Sequence, residues 1–346
     1  MTARHLCVYF LTVLALATWS GEAGAKSRQE RIKLNAWKDL PGQKVFLDSH
    51  SPLTVAELVT GQGSPVRVEA HLWMPDNAKG PVPVIVLFNC GNTMLYKKEG
   101  YWSEKFHRRG YAVLIVNSLD ARAPGTNISG AVFRYRYATM VDVFVALKFL
   151  AADQRIDRKR IAIMGWTNGG MSILAAAIEG LRNRYAGPEL HYAAAVAISP
   201  FCGIATLGRR YSGTPILSLH GERDDFMPVK PCQFYRQEAV SRGANFEMVV
   251  YPGANHNWEL PYRVHRDLTQ STLGDCYLVT DIVERGIRLG DGKTVTSATP
   301  NYREVLRKYL TACKKVGITE GNHKRSRADS DARIDAFIQK TFASVQ

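Results

Sequence analysis

The sequence has only one apolar run of the kind that contacts a membrane, and that run lies at the N-terminus. A protein that crosses a bilayer several times is therefore excluded. No internal repeat, long low-complexity linker, C-x-x-C pair or H-E-x-x-H motif is present, which argues against a structural zinc site. The 346 residues are 46% apolar and 22% charged. Such a chain can form one large α/β domain or two smaller ones.

Residues 1–25 have the pattern of a secretory signal peptide. Arg4 precedes a nearly continuous apolar run from Leu6 to Trp19, and the small-x-small sequence Ala-Gly-Ala25 follows. The run is about fourteen residues long, which is short for a bilayer span, although an uncleaved anchor is the alternative. We predict cleavage near Ala25 and export to a periplasmic or extracellular space, with no stable membrane insertion afterwards.

The formal net charge is +14, which raises the question of an anionic partner. The basic residues are scattered, however, and acidic residues interrupt most basic runs. The densest cluster, Arg155–Arg160, precedes a predicted strand and is typical of a solvated loop. The sequence therefore predicts no nucleic-acid partner, and it leaves the oligomeric state open.

Short apolar runs alternate with helical patterns from residue 66 onward, after an N-terminal extension over residues 26–65. Buried strands are predicted at 84–88, 111–116, 161–164, 192–198, 215–219 and 246–251. This alternation predicts an α/β fold with a mostly parallel sheet and helices on both faces. Residues 260–313 form an irregular insertion, in which 277–283 and 293–297 are expected to pair as a hairpin. A helix over 302–313, a polar loop over 316–327 and a helix over 328–342 complete the domain, which ends at residue 346.

The strongest local motif is Gly165-Trp-Thr167-Asn-Gly169, between a buried strand and a helix. The pattern G-x-nucleophile-x-G marks the sharp strand-to-helix turn that lifts one side chain above the edge of a sheet. Taken alone, a Gly-rich connection between a strand and a helix is an equally good interpretation.

Two later residues favour the catalytic interpretation. Asp224 follows one buried strand within G-x-x-D-x-x-x-P, and His256 follows the last buried strand in a Gly-containing loop. The order nucleophile, acid, histidine is that of an α/β-hydrolase, and open α/β sheets build their sites at the carboxyl ends of strands. Asp225 is the alternative acid, although the spacing to Pro228 favours Asp224.

From about residue 66 to 260 the chain resembles the dienelactone-hydrolase-like branch of the α/β-hydrolases. The resemblance rests on the sequences Met-Gly-Trp-Thr-Asn-Gly-Gly at 164–170, His-Gly-Glu-Arg-Asp-Asp at 220–225 and Tyr-Pro-Gly-Ala-Asn-His at 251–256. It implies a hydrolase of small-molecule esters or lactones that needs no metal and no cofactor.

Two positions depart from that family. Thr167 stands where its members have Ser or Cys; its hydroxyl can attack an acyl carbon, but a β-branched residue is costly at a strained turn. The oxyanion loop has Asn89-Cys90 where relatives commonly show His-Gly, and the N–H groups of Cys90 and Asn168 are the expected oxyanion hole.

Three further residues are candidates for the substrate pocket. Trp166 and Trp258 flank the nucleophile and the histidine, although core aromatics would give the same pattern. Arg122 could bind a substrate carboxylate, but an exposed loop arginine is more common.

Five cysteines remain after removal of Cys7 with the signal peptide. Cys202 and Cys232 follow strands that are expected to be neighbours. Cys276 precedes the predicted hairpin and Cys313 ends the helix after it, so that this pair would tie the insertion to the body of the domain. We therefore predict these two disulfides and a reduced Cys90.

The leading hypothesis is an exported hydrolase that cleaves an ester or lactone through an acyl-enzyme, with Thr167, His256 and Asp224 as its triad. The alternative is a binding or structural protein on a hydrolase scaffold that lost catalysis through Thr167.

Overall fold

The computed structural model describes residues 40–88, 96–124, 128–296 and 298–345. The predicted signal peptide, its cleavage site and Cys90 lie outside these residues.

The strands are β1 (Gln43–Ser51), β2 (Ser64–Trp73), β3 (Val82–Phe88), β4 (Ala112–Val116), β5 (Ile156–Trp166), β6 (Ala194–Ile198), β7 (Thr206–Leu207), β8 (Ile216–Gly221), β9 (Phe246–Tyr251), β10 (His265–Thr272), β11 (Leu278–Asp281), β12 (Gly286–Leu289), β13 (Thr294–Thr296) and β14 (Lys315–Glu320). The helices are α1 (Val55–Thr60), α2 (Tyr101–His107), α3 (Ile128–Ala151), α4 (Thr167–Leu174), α5 (Glu179–Tyr185), α6 (Val229–Ser241), α7 (Tyr302–Cys313) and α8 (Lys324–Ala343).

The main sheet has the strand order β1-β2-β4-β3-β5-β6-β8-β9. The pairs β1–β2 and β2–β4 are antiparallel, and all the other neighbours in this sheet are parallel. Parallel strands need crossover connections, which α-helices provide except between β6 and β8, where a 3₁₀ turn (Cys202–Ile204) and β7 lie. The predicted mostly parallel sheet with helices is confirmed.

Both faces of the sheet are buried, which explains why its strands are continuously apolar. In β3, Val84, Val86 and Phe88 join the core that contains α3, α4 and α6, while Ile85 and Leu87 join the core that contains α2 and α8. Each fully buried aliphatic or aromatic side chain stabilises the fold by about 1.5–3 kcal/mol relative to exposure. The strands β5, β6, β8 and β9, which form one half of this sheet, therefore end above these two apolar cores.

Four parts of the chain differ from the sequence-based expectations. The basic cluster that was expected in a solvated loop belongs to β5 from residue 156 onward, with Arg158 and Lys159 exposed. The sheet already begins within the predicted N-terminal extension, because β1 pairs with β2 along its whole length. The Gly-rich turn at 290–293 joins β12 to β13, and β12 lies between β11 and β13, so the predicted direct pairing of 277–283 with 293–297 is wrong. The predicted loop over 316–327 contains most of β14, which pairs with β10, and the start of α8.

Two disulfides connect parts of the chain distant in sequence. Cys202 is bonded to Cys232, and Cys276 is bonded to Cys313, which are the two predicted pairs. Among the described residues, no helix combines the length and apolar character that crossing a bilayer requires.

Candidate active site

Thr167 occupies a strained position at the junction of β5 and α4. Its φ angle is 51°, in the left-handed region that β-branched residues rarely adopt. The turn is tight enough to require glycine at 165, where a Cβ atom would lie 2.6 Å from the Ile173 side chain and 2.8 Å from the Phe88 carbonyl oxygen. The local sequence therefore forms the sharp turn that raises the Thr167 side chain above the edge of the sheet.

A chain of two hydrogen bonds connects Thr167, His256 and Asp224. Thr167 Oγ1 lies 3.2 Å from His256 Nε2, and His256 Nδ1 lies 2.8 Å from Asp224 Oδ2. An ionised carboxylate only accepts hydrogen bonds, so Nδ1 carries the proton and Nε2 accepts from the Thr167 hydroxyl. All three residues are buried, each with 5% or less of its surface exposed.

The carboxylate of Asp224 is held by four donors. Oδ1 accepts from the backbone N–H groups of Phe226 and Met227, at 3.1 and 2.8 Å, and Oδ2 accepts from Ser199 Oγ at 2.8 Å in addition to His256. Multiple donors stabilise the charged form of a buried carboxylate. The Phe226 ring also contacts the imidazole edge-on, with centroids 5.0 Å apart, which restricts the orientation of His256.

Asp225, the alternative acid, has different partners. Its Oδ1 accepts from the Thr319 backbone N–H at 2.6 Å, and its Oδ2 accepts from Thr319 Oγ1 at 3.0 Å. The structure therefore brings Asp224, and not Asp225, to the histidine.

The match to a family model extends from residue 68 to residue 267 and covers more than half of the chain. The family is described as the dienelactone hydrolase family. The chain belongs to this family. It has the α/β-hydrolase fold.

Individual relatives are distant. The chain is 24% identical over 244 residues to the uncharacterized peptidase YuxL of Bacillus subtilis, and 25% identical over 169 residues to dipeptidyl peptidase family member 1 of Caenorhabditis elegans. These matches cover 61% and 39% of this chain, but only 37% and 20% of the relatives' own lengths. A Klebsiella pneumoniae crystal structure that bears a dienelactone hydrolase name is 16% identical, with a TM-score of 0.50 over 86% of this chain and 99% of its own. That likeness shows the fold.

The three candidates for the substrate pocket are buried inside the fold: Trp166, Trp258 and the side chain of Arg122. Trp166 and Trp258 are 1% or less exposed and belong to the apolar core on the α8 side of the sheet. The Arg122 side chain is 1% exposed and forms a two-pronged ion pair with Asp142, at 2.6 and 2.9 Å. Its remaining donors contact Ser51 Oγ and backbone oxygens. Arg122 is thus part of a buried ion pair and is not the exposed loop arginine that was the alternative expectation.

Asn168, the second residue of α4, lies at a small cavity beside the turn. Phe88, Leu119, Val132 and Met171 supply most of the apolar lining of this cavity. The first N–H groups of a helix have no partner within the helix and attract negative charge. Cys90, the other predicted oxyanion donor, lies outside the described residues.

Two polar residues near the site, Ser199 and His220, were not predicted from the sequence. Ser199 follows β6 at the same edge of the sheet, with a φ angle of 41°, and its position after a buried strand was a usable signal. His220, on β8, is fully buried and bonded through Nε2 to Ser218 Oγ at 2.7 Å. Burial lowers the pKa of His220 to about 4, against the opposing effect of the Asp224 charge. His220 is therefore neutral near pH 7, and it adds no positive charge beside Asp224.

Proposed function

We propose that this protein is a hydrolase that cleaves a carboxylic ester or lactone through an acyl-enzyme formed on Thr167. The observation that carries the proposal is the hydrogen-bonded chain from Thr167 Oγ1 through His256 to Asp224. Membership of the dienelactone hydrolase family supports the same chemistry. The proposal extends the family's nucleophile set from Ser and Cys to Thr.

In acylation, His256 Nε2 takes the Thr167 hydroxyl proton as Oγ1 attacks the carbonyl carbon of the substrate. The negative charge that develops on the carbonyl oxygen is stabilised by backbone N–H groups, with Asn168 and Cys90 as the proposed donors. The tetrahedral intermediate collapses when the bond to the leaving alkoxide breaks, and the imidazolium returns its proton to that oxygen. Asp224 keeps the proton on Nδ1 and stabilises the imidazolium.

In deacylation, water replaces the hydroxyl as the nucleophile. His256 removes one water proton, and the resulting hydroxide attacks the acyl carbon of the threonyl ester. The bond to Oγ1 then breaks, Oγ1 regains a proton from His256, and the carboxylic acid leaves. Both half-reactions use the same base, so removal of His256 blocks both.

The kinetic test uses p-nitrophenyl acetate with the wild type, His256→Ala and Thr167→Val. We expect His256→Ala to lower kcat by about 10⁴-fold or more, as in other enzymes that use a hydroxyl–histidine pair. Thr167→Val keeps the branched shape but removes the hydroxyl, so it should be equally inactive. Turnover by either variant at the wild-type rate would refute the triad. No turnover by the wild type, with intact folding, would favour the non-catalytic alternative.

A further inference from the structure

Strand β14 contacts both loops that carry the proposed acid and base. The Thr319 backbone N–H and Oγ1 donate to the Asp225 carboxylate, next to Asp224, at 2.6 and 3.0 Å. The Gly321 backbone N–H donates to the His256 carbonyl oxygen at 2.9 Å. A single segment, 319–321, therefore holds the two loops in a fixed relation to each other.

Asn257 adds a side-chain connection from the histidine loop to the same strand. Its Nδ2 donates to Glu320 Oε2 at 2.7 Å, and its Oδ1 accepts from Lys98 Nζ at 2.7 Å. The backbone of Asn257 has a φ angle of 56°, a conformation that asparagine tolerates better than most residues. The residue after the proposed base is thus held from two sides.

Lys98 is 2% exposed, which is unusual for a lysine. Its ammonium group also lies 3.4 Å from Glu259 Oε1. A buried cation is stable only where charges and acceptors around it replace its hydration. The position of Lys98 is therefore coupled to that of Asn257, whose Oδ1 is one of its acceptors.

We propose that Asn257, Glu320 and Lys98 are positioning residues for the reaction, and that segment 319–321 acts as a clamp on the acid and histidine loops. The proposal rests on the proposed function. The clamp lies outside residues 68–267, which match the family model. The clamp acts by holding His256 at the correct distance from Thr167. The distance from Thr167 Oγ1 to His256 Nε2 is 3.2 Å. A displacement of about 1 Å at such a contact can lower the rate by about 10²-fold.

An exchange of donor and acceptor across the Asn257–Glu320 hydrogen bond tests the clamp. Asn257→Asp keeps the acceptor for Lys98 but replaces the Nδ2 donor with an oxygen that faces the Glu320 carboxylate. Glu320→Gln alone keeps an acceptor for Asn257. In the double variant, the glutamine amide can donate to the new aspartate. We expect kcat for p-nitrophenyl acetate to fall about tenfold in Asn257→Asp, with KM changed much less, to fall by a smaller factor in Glu320→Gln, and to recover in the double variant.

The matched controls are Asn183→Asp and Glu284→Gln, which make the same chemical changes at exposed positions. Both should leave kcat unchanged. A double variant as slow as Asn257→Asp, or Asn257→Asp with unchanged kcat, would overturn the clamp.

Hydrogen exchange separates failure of the clamp from failure of the proposed function. The Gly321 amide should exchange faster in Asn257→Asp and return toward the wild-type rate in the double variant, whether or not the protein turns over an ester. Unaltered exchange in Asn257→Asp would contradict the clamp. Absence of turnover in the wild type, with the expected exchange pattern, would refute only the proposed reaction.

Discussion

At the scale of single residues, Thr167 combines a usable hydroxyl with an unfavourable backbone. A left-handed conformation at a non-glycine residue costs about 1–3 kcal/mol, and the β-branch restricts the rotation of Oγ1. The Oγ1 atom still reaches His256 at 3.2 Å, with Gly165 providing the space that the turn needs. Threonine thus fits the position of the nucleophile, but its backbone is strained and the rotation of its side chain is restricted.

Thr167→Ser should therefore be faster than the wild type. The substitution removes one methyl group, keeps the hydroxyl and leaves His256 and Asp224 unchanged. We expect kcat/KM for p-nitrophenyl acetate to rise by about tenfold, which corresponds to about 1.4 kcal/mol in the barrier. A serine variant slower than the wild type would show that the methyl group helps to place Oγ1.

His220 makes the stability of the fold depend on pH. Its folded-state pKa of about 4 is below the ordinary value of 6.5, so the unfolded chain binds more protons between these pH values. The contribution of neutral His220 is complete above pH 6.5 and is lost as the pH falls toward 4, by about 3 kcal/mol. His220→Gln should flatten this part of the curve of unfolding free energy against pH, measured by urea denaturation. An unchanged slope would contradict the assignment.

The Arg122–Asp142 pair should contribute to stability and not to substrate binding. Both side chains are 1% or less exposed, so Arg122→Met leaves a buried carboxylate without its cation. We expect a loss of about 3–5 kcal/mol in unfolding free energy. The KM for p-nitrophenyl acetate should be unchanged. Combining Arg122→Met with Asp142→Asn removes the unpaired charge and should recover part of the lost unfolding free energy. A rise in the KM of Arg122→Met alone would instead indicate that Arg122 binds the substrate.

At the scale of elements, the Cys276–Cys313 disulfide closes one end of the β10–β14 pair. Cys276 follows β10, Cys313 precedes β14, and their sequence separation is 37 residues. The chain-entropy model predicts a stabilisation of about 3–4 kcal/mol. Replacing both cysteines by serine should lower the unfolding free energy by that amount and speed amide exchange in residues 265–272 and 315–320. The matched Cys202→Ser/Cys232→Ser variant should spare exchange in those two strands, and equal effects of both variants there would contradict the assignment.

The central strands and the helix α7 were predictable because their residues carry local signals. Helix α7 spans the predicted residues 302–313, and continuous apolar runs identified the parallel strands. Strand β14 carries no such signal: Lys315 and Val316 are exposed, and the strand exists because β10 provides its hydrogen-bond partners. The turn between β11 and β12, at residues 282–285, was not predicted because it has no Gly-containing dipeptide at its centre. It is held instead by Asp281 Oδ1, which accepts from the backbone N–H groups of Val283 and Glu284.

At the scale of the whole molecule, one parallel sheet brings the site together. Thr167, Ser199, Asp224 and His256 follow β5, β6, β8 and β9, and these four strands are consecutive neighbours. Because all four are parallel, their carboxyl ends meet at one edge. The sequence order of the motifs therefore predicted that Thr167, Asp224 and His256 lie together, whereas Ser199 was not predicted. It could not predict the contacts from β14, since those depend on how a polar segment far along the chain folds back onto the site.

The central claim is that the Thr167 hydroxyl is a nucleophile activated by His256. The most direct measurement is the reaction of the purified protein with a fluorophosphonate probe, followed by intact mass and by peptide mapping of the adduct. We expect one adduct per chain, located on Thr167, absent in Thr167→Val and strongly slowed in His256→Ala. An unmodified wild-type protein, or an adduct that persists in Thr167→Val, would contradict it.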